Sequence, residues 1–201
     1  MNILITMGDP AGIGPEIILK ALNQFEENSS YRFYVIGDFI LLKYYLEKLN
    51  IRKKINKIKY LDDYLSDSIN VIEPLSLDIK EYKIGEVSKI CGFAAYSYIK
   101  KGVELCQNGF SKTLVTGPIH KESFKAAEVP YIGHTEVLSG LTGVKNPLTL
   151  FIIGDLRIFF FTRHLSLINA CLAVKKKALI SSMRDCCISL KSLGLANSPL
   201  A

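Results

Sequence analysis

The chain has 201 residues, of which 49% are apolar and 22% charged, with a formal net charge of +6. That length suits one large domain or one and a half smaller ones, and that balance excludes a disordered chain. No apolar run reaches the roughly 20 residues that span a bilayer. "MNILIT" is too short, and lacks the basic lead, to be a secretory signal, so a cytoplasmic protein without a membrane segment is expected.

The cysteines Cys91, Cys106, Cys171, Cys186 and Cys187 form no CxxC pair, which points to reduced thiols rather than a zinc ribbon or thioredoxin-like motif. The densest basic stretch, "IRKKINKIKY" from Ile51 to Tyr60, reads as a solvated loop leading into a strand. No nucleic-acid motif accompanies it, so no nucleic-acid partner is expected. The mild positive field suits an anionic, phosphorylated small molecule.

In chain order, "NILITM" is a β-branched apolar run and predicts a buried strand. Pro15 to Phe25 follows as a helix, with Pro15 in its first turn and Glu16 at its positive end. "RFYVIG" predicts the next strand, and "DFILLKYYLEKL" a helix capped by Asp38. "KIKYL" and "INVIEP" predict two short strands. Glu86 to Asn108 predicts one long helix with Val87, Ile90, Cys91, Ala94 and Tyr98 on a shared face, stopped by Gly109. "KTLVTGPI" is a further strand ending in a Gly-Pro turn, and His134 to Leu141 a short helix. "LTLFIIG" and "LRIFFFT" predict a hairpin turning at Gly154-Asp155. A last helix is expected from Ala173 to Ser192, with Leu179, Met183, Cys186, Leu190 and Leu193 on a packed face. Alternating strands and helices predict an α/β sandwich with a largely parallel sheet and one antiparallel component.

The most constrained stretch is "MGDPAGIGPE", which follows the first strand. Ligands of open α/β sheets bind beyond the carboxyl ends of the strands, where this turn lies. Gly8, Gly12 and Gly14 allow positive φ and close backbone approach, and the helix that follows favours an anion. The spacing matches neither a P-loop nor a dinucleotide fingerprint. Asp9 suits a cation or a substrate hydroxyl. A tight turn with no ligand is the competing reading, and glycine spacing does not separate the two. Three further strand ends carry the chain's histidines: "TGPIHKESF" brings His120 and Lys121, "GHTE" brings His134, Thr135 and Glu136, and "TRHLSL" brings Arg163 and His164. Histidine suits general-base and metal-ligand work.

Taken together and in this order, "MGDPAGIGPEI", "TGPIHKESF", "GHTEVL" and "TRHLSL" resemble the PdxA family, the 4-hydroxythreonine-4-phosphate dehydrogenases of vitamin B6 synthesis. The resemblance implies an isocitrate/isopropylmalate dehydrogenase-like α/β/α sandwich, with two domains around a cleft. It implies a homodimer whose active sites draw on both subunits. It also implies oxidation of 4-phosphooxy-threonine by NAD or NADP, with decarboxylation to 3-amino-2-oxopropyl phosphate. His134 and Thr135 match substrate contacts. His164 matches a ligand to a divalent metal (Zn, Mg or Co) that the family holds with three histidines. Gly8, Asp9, Gly12, Gly14 and Lys121 match cleft-lining positions.

The family's later motifs, N-P-H-A-G-E and Y-H-D-Q-G, do not occur in these 201 residues. Residues 1–201 are therefore expected to be the N-terminal portion of a two-domain dehydrogenase, with the second domain begun near 115–130 and unfinished. A catalytically inactive remnant or ligand-binding fragment is the alternative. A relative acting on threonate or erythronate phosphates is another, and a phosphate-binding module unrelated to dehydrogenases rests on the glycine-rich turn alone.

Overall fold

The β-branched run at the start of the chain forms β1, Asn2–Thr6, whose last three residues are buried. In the computed structural model, which describes residues 1–25, 30–145, 147–163 and 165–195, β1 lies inside a five-stranded sheet. The other strands are β2 (Arg32–Ile36), β3 (Lys54–Lys57), β4 (Ser68–Ile72) and β5 (Leu114–Thr116). Their order is β3-β4-β2-β1-β5 and every pairing is parallel. Leu4 sits opposite Leu114 on one side and Tyr34 on the other. Leu4, Val35, Ile36 and Val71 are fully buried, as expected of a parallel sheet covered on both faces.

This order has a direct consequence for function. The chain leaves β1 toward β2, reaches β3 and β4 on that side, then returns past β1 to add β5. The strand order therefore reverses between β1 and β5, the place where open α/β sheets leave a crevice at their carboxyl ends.

The helices around this sheet are α1 (Gly14–Asn23), α2 (Phe39–Lys48) and α3 (Lys89–Gln107). The cap expected at Asp38 is present. Its Oδ1 accepts from Leu41 N at 2.6 Å, and its Oδ2 accepts from Leu77 N at 2.7 Å. Burial raises the Asp38 carboxyl above its ordinary range, against the pull of those two amides. The side chain thereby ties the start of α2 to a segment 39 residues away. The long helix α3 begins three residues later than expected because Ser88 caps it, Oγ accepting from Cys91 N at 3.4 Å. Val87 falls outside the helix and is exposed, whereas Cys91, Ala94 and Tyr98 are buried. Two short helices lie beyond β5: α4 (Lys121–Ala126), which was not anticipated, and α5 (His134–Thr142). Both pack on α3.

β3 also departs from expectation. The strand lies inside the basic stretch rather than after it. It is the edge strand, and edges tolerate lysines that an apolar-pattern search rejects. Asn56 opposite Asn70 donates Nδ2 to its Oδ1 at 2.9 Å. Lys54 pairs with Asp67 at 3.4 Å and Lys57 pairs with Glu73, so this stretch carries its own counter-charges.

The chain divides into two compact units, Met1–Lys145 and Asn146–Ala201. The second holds an antiparallel hairpin of β6 (Leu150–Ile153) and β7 (Leu156–Phe159), turning at Gly154 with φ 57° as its sequence predicts. Arg163 donates Nη1 to Thr149 Oγ1 at 2.6 Å and Nη2 to the Pro147 carbonyl at 3.2 Å. The expected last helix is two helices, α6 (Leu167–Ala173) and α7 (Lys176–Ser192), because Val174 leaves helical geometry at ψ 91°. Lys175 becomes the N-cap of α7, leaving Lys176 and Lys177 in a first turn with no acidic residue. The packed face expected on α7 is only partly packed: Cys186 and Leu190 are buried, while Leu179, Met183 and Leu193 are exposed. Ile152, Leu167, Ile168 and Leu172 are exposed as well. Among the described residues no helix is long and apolar enough to cross a membrane.

The contrast between α3 and α7 gives an expected outcome in hydrogen exchange. Protection follows buried apolar contact and shielded backbone bonds. Amides of Ala94–Val103 should exchange far more slowly than those of Leu179–Ser189 in the same sample, and equal protection of the two helices would contradict the burial described here.

Candidate functional site

The glycine-rich loop and the loop after β5 meet at the reversal of strand order. Met7 donates its N–H to the Ile36 carbonyl at 2.8 Å, so the loop leaves the sheet along β2. Gly8 then takes φ 79°, and a Cβ there would sit 2.3 Å from the Pro118 carbonyl oxygen. Asp9 N donates to that same oxygen at 2.9 Å. From the other side, Gly117 N donates to the Thr6 carbonyl at 2.9 Å and lies 3.2 Å from Thr6 Oγ1. A Cβ on Gly117 would lie 2.5 Å from Thr6 O. The two loops are thus interlocked main chain against main chain, and both contact points require glycine.

The rest of the first loop is closed by its own residues. Asp9 is 2% exposed and its Oδ1 accepts from Ala11 N at 2.8 Å, which makes this oxygen a lock on the turn. Gly12 N donates to Asp9 O at 3.0 Å. Gly12 and Gly14 do not use positive φ. Gly14 is needed for close approach instead, since a Cβ there would lie 2.1 Å from Met7 O. Gly85 N donates to Ala11 O at 2.7 Å, and Ala11 packs in a small buried cluster with Tyr82 and Cys91. Burial pushes the Cys91 thiol up to about 11, and lifts the Tyr82 and Tyr98 hydroxyls well above their ordinary value. These groups are neutral packing at pH 7 and act as the brace behind the loop.

The second and third motifs converge on the same point. His120 is exposed and caps α4, its Nδ1 accepting from Ser123 N at 3.3 Å, and Lys121 is the exposed first residue of that helix. His134 is the first residue of α5, and its Nε2 lies 3.1 Å from the Gly117 carbonyl oxygen. That oxygen belongs to the residue whose N–H is held by Thr6. Burial lowers the pKa of His134, while the bond to Gly117 pulls it upward. Thr135 and Glu136 beside it are exposed, and Val137 is fully buried and anchors the helix.

The structure therefore brings Gly8, Asp9, Gly12, Gly14 and His134 into one connected set, with Thr135 and Lys121 on the adjoining helix starts. His164 lies outside the described residues. Among the described residues no group of three or more His, Cys, Asp or Glu could hold a metal ion, so they do not by themselves supply the three-ligand set expected from the resemblance. Sequence reading missed Thr6 and the carbonyls of Gly117 and Pro118, which make the junction. The signal available for them was a Gly-Pro turn directly after a strand.

Comparison with known proteins gives the following. The family described as pyridoxal phosphate biosynthetic protein PdxA matches residues 29–201. A Clostridium botulinum protein provisionally named D-threonate 4-phosphate dehydrogenase is 40% identical over 199 residues, 98% of this chain and 60% of that protein. A Halalkalibacterium halodurans protein of the same provisional name is 43% identical over 195 residues, 96% of this chain and 58% of that protein. The crystal structure of a 4-hydroxythreonine-4-phosphate dehydrogenase from Burkholderia phymatum matches with a TM-score of 0.83 at 32% identity, covering 91% of this chain and 56% of that one. The chain spans about 60% of the length of the curated relatives it matches.

The interlock gives a stability prediction with an internal control. Gly8→Ala combines left-handed strain with a backbone clash, and should cost about 2 kcal/mol or more. Gly109 has nearly the same φ, 78°, and nothing within 4 Å of an added Cβ. Gly109→Ala should therefore cost only about 1 kcal/mol, the strain alone. Urea unfolding of the two variants checks this, and equal losses would mean that contact with Pro118 does not constrain the loop.

Proposed function

Because this chain belongs to the PdxA family, whose match extends over residues 29–201, we propose that its protein is a nicotinamide-dependent dehydrogenase of a four-carbon hydroxy acid 4-phosphate. The observation that carries this reading within the structure is the junction itself. Three of the four motifs behind the family resemblance are tied together by backbone bonds at the reversal of strand order, and His134 is held against it.

Two substrates fit the names of the relatives. They share a carboxylate, a C3 hydroxyl and a 4-phosphate, and differ at C2, which carries an amino group in 4-phosphooxy-threonine and a hydroxyl in D-threonate 4-phosphate. The higher identity to proteins named for the threonate substrate, 40% and 43% against 32%, favours D-threonate 4-phosphate. In either case loss of hydride from C3 to NAD or NADP, with a proton from the hydroxyl, gives a 3-oxo acid. Such an acid loses carbon dioxide readily because the ketone accepts the electron pair. The product is dihydroxyacetone phosphate from the threonate, or 3-amino-2-oxopropyl phosphate from the hydroxythreonine. The latter would supply pyridoxal phosphate synthesis.

His134 and Thr135 are the proposed substrate contacts, with Lys121 and the Gly8–Gly14 loop lining the same edge. When bound, a divalent ion (Zn, Mg or Co) would polarise the reacting hydroxyl, and His164 is its proposed ligand from this chain. A homodimer is part of the same reading. The exposed apolar side chains of the second unit support it, since patches of that kind mark association surfaces. The same reading makes the chain one portion of a two-domain enzyme working in the cytoplasm.

The test uses a protein of the relatives' length that carries these residues, given each phosphorylated acid, NAD or NADP, and Zn²⁺, Mg²⁺ or Co²⁺. Reduced nicotinamide and carbon dioxide should form in equal amounts. D-threonate 4-phosphate should exceed unphosphorylated D-threonate by at least about tenfold in kcat/KM, equivalent to about 1.4 kcal/mol. Failure to reduce nicotinamide with either acid, or indifference to the 4-phosphate, would contradict the proposal.

A further inference from the structure

The two ends of the His134–Gly117 hydrogen bond are both fixed by main chain. Gly117 is held to β1 through Thr6, and no side chain could be accommodated at that position without displacing the strand end. His134 is fixed as the first residue of α5, with Val137 buried behind it. A carbonyl oxygen has no hydrogen to give, so the ring nitrogen facing it, Nε2, must carry one. Half-burial of the ring opposes a second proton. The ring is then neutral with its hydrogen on Nε2, and Nδ1 is left with a bare lone pair. No described residue donates a hydrogen bond to that nitrogen, and the exposed Thr135 beside it marks the ring as lying at the accessible rim of the junction.

A bare imidazole nitrogen accepts from O–H and N–H groups and is unfavourable next to ionised phosphate or carboxylate oxygens. We propose that the Gly117 carbonyl holds His134 in its Nε2–H form and that His134 Nδ1 takes a hydroxyl of the substrate, leaving the phosphate to other groups. The second half of this assignment rests on the dehydrogenase reading above, and the first half does not. Gly117 is in this sense a positioning residue: it touches no substrate and decides which nitrogen of His134 is free. The same main-chain contacts that close the loops also set the hydrogen-bonding character of the site.

The chain contains only three histidines, so ¹⁵N labelling of imidazole gives few resonances, and His134→Gln assigns the one in question. In the free 201-residue protein near pH 7, His134 should show a protonated Nε2 and an unprotonated Nδ1. Addition of D-threonate 4-phosphate should move the Nδ1 resonance in the direction of a hydrogen-bonded lone pair, and inorganic phosphate alone should not. A hydrogen on Nδ1, a doubly protonated ring in the free protein, no response of Nδ1 to the hydroxy acid, or the same response to inorganic phosphate would each overturn the assignment. Two variants in a protein of the relatives' length provide a second readout. His134→Asn places an amide oxygen near the Nδ1 position, whereas His134→Gln reaches toward Gly117 and offers no acceptor there. The Asn variant should retain about tenfold more kcat/KM than the Gln variant, the worth of one good hydrogen bond, with inhibition by inorganic phosphate unchanged in both. Equal losses would count against the proposal. Failure of the dehydrogenase reading would look different: no nicotinamide reduction, with the Nε2–H form of His134 intact.

Discussion

The site depends on one steric constraint, the contact of two loop backbones between β1 and β5 without room for a Cβ on either side. Gly8 faces Pro118, Gly117 faces Thr6, and the amides exchanged across that contact satisfy polar groups that would otherwise be buried unpaired. Hydrophobic burial holds the sheet together, but it is non-directional and would tolerate small shifts of either loop. The glycine contact does not. It turns two flexible connections into a fixed edge, and His134 is positioned against that edge through a carbonyl whose location the sheet determines.

Much of the surrounding polar chemistry supports this edge rather than facing a ligand. Asp9 invites a reading as a cation or hydroxyl ligand, yet its Oδ1 closes its own turn on Ala11 and the side chain is almost fully buried. Asp38 is likewise consumed by the amides of Leu41 and Leu77. Cys91, Tyr82 and Tyr98 are neutral and buried behind the loop. The groups left to meet a substrate are main-chain atoms of the two loops, the imidazole of His134, and the exposed side chains of Thr135 and Lys121.

Much of this fold was legible in the sequence, because its signals are local. The apolar runs of β1 and β2, the Asp38 cap and the Gly154 hairpin each depend on a few neighbouring residues. β3 was misplaced because an edge strand can be written in lysines and asparagines. α4 was missed because six residues hold too little periodicity, and its cap is an unusual one, His120. The joint of α6 and α7 was missed because Val174 carries no breaker signal. The site was only half legible. Its motifs could be found one by one, but Thr6 and Gly117 are 111 residues apart, and spacing alone does not bring them together. Gly14 shows the same limit, since a glycine kept for close approach and one kept for positive φ look alike in sequence.

The central claim is that the three motifs of the first unit work as one binding edge. It is tested most directly by mapping backbone amide shifts of the 201-residue chain during titration with D-threonate 4-phosphate. The amides of Gly8, Gly12, Gly117, His120, His134 and Thr135 should move together and fit one dissociation constant, while those of α2 and α7 stay in place. Shifts confined to a single motif, or motifs responding with different dissociation constants, would contradict the account.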